Sequence, residues 1–207
     1  MKIHDQLDGI LSRGSKVRIL RYLFQEDDEH TGRGIARAVG MSPSMAHSVL
    51  SELSAEGLVD VRKKGRAKLY RLRMDSYIVE KVLRPLFEGE QNLFKDLTRD
   101  LKTGILKSRQ DVLSVSIFGS VAAKKETVGS DLDLLVVVGT ASGKRNIQRS
   151  IDELSIDVAE KYGITLSPYV VTKGELKKKR SRELPLVKSI LANNQLIYGE
   201  PVERILA

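Results

Sequence analysis

The sequence predicts a protein of the α+β class, because two stretches with different patterns follow one another along its 207 residues. In the first stretch, three helical patterns precede two short strands with a basic turn between them. In the second stretch, apolar strands alternate with amphipathic helices. A helical connector separates the two. The chain is long enough for two small domains, and we expect limits of 1–74 for the first domain, 75–110 for the connector and 111–207 for the second domain.

Composition narrows the classes of function. Apolar residues make up 41% and charged residues 30% of the chain, and no apolar stretch approaches the roughly 20 residues that span a bilayer. We therefore expect a cytoplasmic protein that does not enter a membrane. The absence of cysteine excludes disulfides, thiolate nucleophiles and cysteine zinc sites. The net charge of +8 favours a polyanionic partner, although charge alone does not choose between DNA, RNA and nucleotides.

The first domain opens with a helix predicted over 15–24, which carries apolar residues at helical spacing. The acidic run 26–29 ends it and predicts a solvated loop. Because acidic side chains repel a phosphate backbone, this loop should face away from any bound DNA. Thr31 is a suitable N-cap for a short second helix that Gly40 ends.

The third helix is predicted to begin at Ser42-Pro43 and to end near Ala55, since proline favours the first turn of a helix. Its apolar stripe predicts buried side chains at Met45, Val49, Leu50 and Leu53. The opposite face carries short polar side chains at helical spacing, which are Ser44, His47, Ser48 and Ser51.

A hairpin follows this helix, with strands around Val59 and Leu69 and a turn at Gly65. Its turn and flanks are strongly basic, and a duplex backbone would find several phosphate contacts there. The cations are Arg62, Lys63, Lys64, Arg66, Lys68, Arg71 and Arg73.

Three helices followed by a basic hairpin resemble the winged helix-turn-helix domains of prokaryotic transcription regulators. The segment from Thr31 to Tyr70 is similar to that family throughout. The resemblance implies a recognition helix over 42–55, a wing over 62–68 and duplex DNA as partner. The implied DNA contacts are Ser42, Ser44, His47, Ser48, Ser51, Arg62, Lys63, Lys64, Arg66 and Lys68. The polar face has no Arg, Asn or Gln, so phosphate contacts should dominate over base reading. A winged helix used for protein contact, with its basic residues serving solubility, is the alternative.

The connector has a helical apolar pattern from Ile78 to Ile105, which Pro85 should kink or divide. Two interpretations are open. It is either a helical linker that packs on both domains or a dimer helix, since helix-turn-helix proteins usually bind two half-sites. A homodimer is therefore possible.

The second domain begins with a strand in which Leu113, Val115 and Ile117 alternate with serines, and Gly119-Ser120 ends it. Asp131 and Asp133 open the next strand. The period of two puts these carboxylates on one face, roughly 7 Å apart, where they can share a divalent metal. Glycine lets backbone N–H groups approach a phosphate, and a serine hydroxyl adds a donor. A helix around 147–158, a strand over 164–171, helices over 175–180 and 184–191, and a short strand over 196–198 complete the domain.

Phe118-Gly119-Ser120 followed by Ser130-Asp131-Leu132-Asp133 resembles the minimal nucleotidyltransferases of the DNA polymerase beta superfamily. The resemblance covers roughly residues 110–200 and implies a mixed sheet. It implies that Gly119, Ser120 and Ser130 bind a nucleoside triphosphate and that Asp131 and Asp133 hold Mg²⁺ as catalytic residues. The implied chemistry is attack by an acceptor hydroxyl on the α-phosphorus, with release of pyrophosphate.

One departure from this family concerns catalysis. Active members generally carry a third carboxylate on a later strand, and the strand over 164–171 has none. Ser167 stands nearest to the equivalent position, and serine is neither a general base at neutral pH nor a strong Mg²⁺ ligand. Glu126, Asp157 or Glu175 could replace it in space. The basic run 177–180 either neutralises a phosphate or forms a solvated face.

Three functions therefore compete. The first is a DNA-binding transcriptional regulator whose nucleotidyltransferase-like domain binds a magnesium nucleotide such as ATP, with degenerate catalysis. The second is an active nucleotidyltransferase that modifies a protein, a nucleic acid or a small molecule and is targeted by the winged helix. The third is an antitoxin-like partner.

Overall fold

The computed structural model describes residues 4–107 and 111–207, and the predicted limits at residues 1 and 110 lie outside these ranges. The chain divides into two compact units, one ending at Asn92 and the other beginning at Leu93. Each unit has a hydrophobic core of its own. The finer limits of 75–110 for the connector stay a prediction.

The first unit is built from helices and a small antiparallel sheet. Its elements are α1 (Gln6–Leu11), α2 (Gly14–Glu26), β1 (His30–Thr31), α3 (Gly32–Ala38), α4 (Pro43–Ala55), β2 (Val59–Lys64) and β3 (Ala67–Leu72). The strands lie in the order β1-β3-β2. Short α1 and the two-residue β1 were not predicted from the sequence, since neither is long enough to show a periodic pattern.

The predicted helix starts are confirmed by their caps. The Thr31 hydroxyl accepts a hydrogen bond from the Gly34 N–H at 3.1 Å, and the Ser42 hydroxyl accepts one from the Met45 N–H at 3.3 Å. Each cap satisfies an N–H group that a helix start leaves without an intrahelical partner. The prediction that Met45 is buried is wrong: 51% of it is exposed, and the small Ala46 faces the core instead. One position along a helix turns a side chain by about 100°, enough to change its side.

The chain after the hairpin is helical, as predicted. A π-helical segment, Val79–Leu83, leads into α5 (Arg84–Leu106). Pro85 is the second residue of α5 and has no N–H to donate to the preceding turn, which is the π-helical one. The irregular turn therefore falls immediately before the proline that was expected to divide this region.

The second unit contains the end of α5 and a sheet covered on both faces. Its further elements are β4 (Val112–Phe118), α6 (Gly119–Ala122), β5 (Leu132–Val138), α7 (Ala141–Tyr162), β6 (Leu166–Thr172), α8 (Lys173–Ser181), α9 (Pro185–Ala192), β7 (Asn194–Gly199) and α10 (Val202–Leu206). Among these, α10 was not predicted.

The sheet has the strand order β6-β5-β4-β7 and is mixed, as expected. β5 runs antiparallel to β4 and parallel to β6, and β7 runs antiparallel to β4. Leu134 and Val136 of β5 lie in the core that α5 and α7 form with the sheet, whereas Leu135 and Val137 lie in the core formed with α8, α9 and α10. This alternation defines two faces, which we call the α7 face and the α8 face.

Among the helices of residues 4–107 and 111–207, none is both long enough and apolar enough to cross a bilayer.

Candidate functional site

The antiparallel pairing of β4 and β5 brings Gly119 to Asp133. β4 ends where β5 begins, with Ile117 opposite Leu134, so the residues that follow β4 meet the residues that open β5. A Cβ atom on residue 119 would overlap the Asp133 Oδ2 atom and lie 3.0 Å from its Cγ atom. Gly119 also has a φ of 72°, in the left-handed region that favours glycine. The carboxylate of Asp133 thus lies against backbone that carries no side chain.

Asp131 and Asp133 lie close enough to repel one another. Asp133 precedes Leu135 by two positions, so its side chain points to the α8 face, as the strand period predicts. Partial burial raises the pKa of Asp133, and the negative charge of Asp131 raises it further. Asp131 itself is exposed and immediately precedes the strand.

A divalent cation fits these two carboxylates. Asp133 is partly desolvated and is repelled by Asp131, and a cation between the two groups would relieve both costs. Mg²⁺ is commonly held by one or two carboxylates together with substrate phosphates and water. The missing Cβ at Gly119 leaves room for the Asp133 carboxylate, so the Gly119 backbone lies directly beside this pair.

Ser120 and Ser130 occupy different surroundings. Ser120 lies in the single turn of α6, directly after Gly119, and is partly exposed. The Ser130 hydroxyl accepts a hydrogen bond from the Thr127 N–H at 2.9 Å and lies 3.3 Å from the Thr127 hydroxyl. Ser130 therefore stabilises the loop that precedes Asp131.

The three acids considered as a third carboxylate lie in different places. Glu175 caps α8, where it accepts the Thr172 N–H at 2.9 Å and pairs with Lys144 at 2.9 Å. Thr172 is the register partner of Val138, at the opposite end of the sheet from Asp133. Asp157 belongs to α7 and lines a groove with Asp100, while Glu126 is exposed.

No group of three or more histidine or acidic side chains is arranged to hold a metal ion within the described residues. Ser167 is the register partner of Asp133 on the parallel strand β6, in the position where the third acid was sought. The structure thus brings together Gly119, Asp131 and Asp133, with Ser167 on the adjoining strand.

The first unit presents a separate, cationic surface. The four short polar residues on the outer face of α4, Ser44, His47, Ser48 and Ser51, are all exposed, as is the cap residue Ser42. Their spacing leaves Val49, Leu50 and Leu53 facing the core. This face can approach a large partner closely, because its side chains are short.

The hairpin carries its cations on an exposed, two-stranded wing. Lys63 lies directly opposite Lys68, and Lys64 lies opposite Ala67. Like charges that face one another across two strands are destabilising. An anion between them would relieve that repulsion, and a phosphate is such an anion.

A groove of about 750 Å³ joins this wing to the helices. Ser44 and His47 line it from α4, and Arg66 and Lys68 line it from the wing. Arg33 of α3 and Tyr70 of β3 complete the wall. These two were missed by sequence reasoning, because only the folded chain brings α3 beside the wing.

The acidic run 26–29 contacts arginines of the hairpin strands, and its orientation away from bound DNA stays a prediction. The Glu29 carboxylate accepts a short hydrogen bond from the Arg62 guanidinium, and Asp27 pairs with Arg71 at 3.5 Å. The hydrogen bond from Arg62 lowers the pKa of Glu29. Arg62 is thus exposed but already paired with a carboxylate. Lys63, Lys64, Arg66 and Lys68 are exposed as well.

Two known families match different parts of the chain. The family described as polymerase beta nucleotidyltransferase matches residues 102–201, and the IclR helix-turn-helix domain matches residues 16–62. The helix-turn-helix match contains most of α2, all of α3 and α4, and most of β2. The nucleotidyltransferase match contains the Gly119 and Asp133 pair.

One curated relative is the Methanocaldococcus jannaschii protein named "Putative protein adenylyltransferase MJ1305", which is 33% identical over 94 residues. The match covers 44% of this chain and 62% of that protein, so the chain spans about three fifths of the relative's length. Among solved structures, NolR from Sinorhizobium fredii is 28% identical over 40% of this chain and 78% of its own, with a TM-score of 0.34. A toxin-antitoxin structure with AMP-PNP is 13% identical over 53% of this chain and 80% of its own, with a TM-score of 0.36.

Proposed function

We propose that this chain, which joins an IclR-type helix-turn-helix domain to a nucleotidyltransferase domain of the polymerase beta type, is a DNA-binding transcriptional regulator whose second domain binds a magnesium nucleoside triphosphate. The duplex would bind along α4 and the wing of the first unit. The nucleotide would bind at Gly119, Ser120, Asp131 and Asp133 of the second.

The observation that carries the DNA proposal is the groove between α4 and the wing. Its walls combine the exposed polar face of α4 with cations from two further elements, Arg33 and the pair Arg66 and Lys68. Short donors on the helix allow close approach to a major groove, and the wing cations suit the flanking phosphates. Since the α4 face lacks Arg, Asn and Gln, most of the affinity should come from phosphate contacts and should fall steeply with salt.

A salt titration of duplex binding tests this proposal. Replacing Lys63, Lys64 and Arg66 with alanine should reduce the slope of log K against log salt by about 2 to 3, because each lost phosphate contact removes about 0.9. The control removes three exposed cations from the second unit, Arg145, Arg149 and Lys188, and should leave the slope unchanged. An equal slope for the wing variant and the wild type would contradict the wing as a DNA contact.

The nucleotide proposal rests on the contact between Gly119 and Asp133. The family implies a nucleotide and a divalent metal, and the two carboxylates with a side-chain-free backbone beside them fit both. Asp131 and Asp133 would hold the cation, which on binding would neutralise phosphate charge. Gly119 and Ser120 would place backbone and hydroxyl donors against the phosphate oxygens.

An active adenylyltransferase is the second candidate function. One observation favours it: the relative that is 33% identical over 94 residues carries that activity in its name. Against it stands the lack of an acid on β6, where Ser167 is the register partner of Asp133, because active members generally carry a third carboxylate on a later strand. With a serine there, the attacking hydroxyl would need activation from the substrate or from a partner.

Transfer of label separates these two candidates. The protein is incubated with cell extract, Mg²⁺ and ATP labelled on the α-phosphate. The regulator proposal expects magnesium-dependent ATP binding without covalent label in any acceptor. Label that appears with the wild type and disappears when Asp131 and Asp133 are both changed to asparagine would establish the enzyme instead.

A further inference from the structure

The face of the sheet that carries Asp133 also holds a cation. Strand β6 pairs in parallel with β5, with Ser167 in register with Asp133 and Tyr169 in register with Leu135. Tyr169 packs against the same core as Leu135, on the α8 face. Because side chains alternate along a strand, Asp133, Ser167 and Tyr169 all point to this one face. Two strand positions, or about 7 Å between Cα atoms, separate Tyr169 from Ser167.

Lys179 of α8 is fixed to Tyr169. Its Nζ atom donates a hydrogen bond to the Tyr169 hydroxyl at 2.5 Å and lies 4.8 Å from the centre of the ring. Both contacts restrict an otherwise flexible side chain, and the aromatic ring attracts the ammonium group. Lys179 is partly buried, unlike its exposed neighbours Lys177 and Lys178.

The direction of α8 brings this cation toward the nucleotide site. The helix begins after Thr172, which lies at the end of the sheet away from Asp133, and Leu176 packs in the core of the α8 face. The helix therefore runs back along the sheet, so its last turn lies nearer to the end where Asp133 and Ser167 lie. The contact between Lys179 and Tyr169 confirms this direction.

The basic run 177–180 consequently does not act as one patch. Arg180 donates to the Leu206 carbonyl at 2.8 Å and thereby ties α8 to α10. Lys177 and Lys178 point to solvent. Only Lys179 of this run makes a contact with a side chain of β6 among the described residues.

We propose that Lys179, held by Tyr169, binds the terminal phosphates of the nucleoside triphosphate whose inner phosphate lies at Gly119, Ser120, Asp131 and Asp133. This inference rests on the proposed nucleotide binding. A triphosphate beside two carboxylates carries more negative charge than one divalent cation neutralises, so a further cation is needed on that face. An ammonium group is a compact, well-attested phosphate partner. A nucleoside monophosphate lacks the terminal phosphates and gains nothing from Lys179.

Calorimetric titration with Mg-ATP and with AMP tests the assignment in the full-length protein. Lys179→Met keeps the length of the side chain and removes its charge. It should weaken Mg-ATP binding about tenfold or more, as expected for a hydrogen bond to a charged group, and leave AMP binding within about twofold. Lys178→Met is the matched control, since it removes the same charge from the neighbouring residue, which is exposed to solvent. It should leave both affinities within about twofold.

Tyr169→Phe provides a second variant that keeps the ring and removes only the hydroxyl that fixes Lys179. It should weaken Mg-ATP binding about threefold, since a neutral hydrogen-bond partner is lost, with no change for AMP. Equal Mg-ATP affinities for Lys179→Met and Lys178→Met would overturn the assignment while leaving nucleotide binding intact. The same loss for AMP as for ATP would overturn it too. A wild type that binds no Mg-ATP at all would overturn the proposed nucleotide function together with this inference.

Discussion

The carboxylate of Asp133 lies in the space that a side chain on residue 119 would fill. The overlap involves its Oδ2 atom, and even the Asp133 Cβ atom lies 3.3 Å from the position that a Cβ on residue 119 would take. Gly119 thus serves two needs at once, a left-handed backbone turn and room for an acid from the neighbouring strand. This double requirement makes the residue a sensitive probe of the site.

Gly119→Ala should therefore destabilise the protein more than the backbone strain explains. Gly129→Ala is the control, because Gly129 has a φ of 85° and no heavy atom within 4 Å of the added Cβ. Both changes carry the cost of a left-handed non-glycine residue, about 1–2 kcal/mol. Only the first must also displace Asp133. We expect a lower midpoint of thermal unfolding and loss of Mg-ATP binding for Gly119→Ala, and near-normal binding for Gly129→Ala. Similar midpoints and similar binding for the two variants would contradict the contact.

Asp133→Asn should raise the stability of the protein without metal and abolish its stabilisation by Mg²⁺. The pKa of Asp133 is raised by burial and by the charge of Asp131, so the ionised form is disfavoured in the folded state. A raised folded pKa costs stability as the pH rises from the ordinary pKa through the folded pKa, and this cost is fully present above the folded pKa. Removing the charge should therefore raise the midpoint at pH 7. Mg²⁺ should raise the midpoint of the wild type and leave that of Asp133→Asn unchanged. A variant that is less stable than the wild type without metal would refute this account.

Local signals in the sequence predicted more of the fold than of the sites. Ser42-Pro43 and Thr31 mark helix starts by chemistry that acts within four residues, and the continuous apolar run of β5 follows from burial on two faces. The pairing of Glu29 with Arg62 joins residues 33 positions apart and leaves no periodic trace. The contact of Lys179 with Tyr169 likewise depends on how α8 returns across the sheet. Asp131 and Asp133 were predictable as a pair because they share one strand period, whereas the closeness of Gly119 depends on the strand order.

Glu29→Gln should strengthen DNA binding. Glu29 holds Arg62 at the base of the wing and so competes with phosphate for that guanidinium. With the carboxylate removed, Arg62 gains access to the backbone, and the slope of log K against log salt should steepen by about 0.9. Asp28→Asn is the matched control, because it removes the same charge one residue away, where Asp28 accepts the Glu29 N–H at 2.6 Å. Equal gains for both variants would show a general effect of net charge and contradict the specific role of Arg62.

Asp100 should make the second unit sensitive to acid. Its carboxylate accepts hydrogen bonds from Lys161 at 2.5 Å and from Tyr162 at 2.7 Å, which join α5 to α7. The hydrogen bond from Lys161, followed by the one from Tyr162, lowers the pKa of Asp100 below its ordinary value of 3.8. A lowered folded pKa gives stability that is fully present above the ordinary pKa and is lost as the pH falls through the folded pKa.

The midpoint of thermal unfolding should therefore be lower for Asp100→Asn than for the wild type at pH 7, and the difference should shrink below about pH 4. Asp96→Asn, which removes an exposed ion pair with Arg99 on the same helix, should show little difference at either pH. A difference for Asp100→Asn that is the same at pH 3 and pH 7 would refute the ionised hydrogen bond as its source.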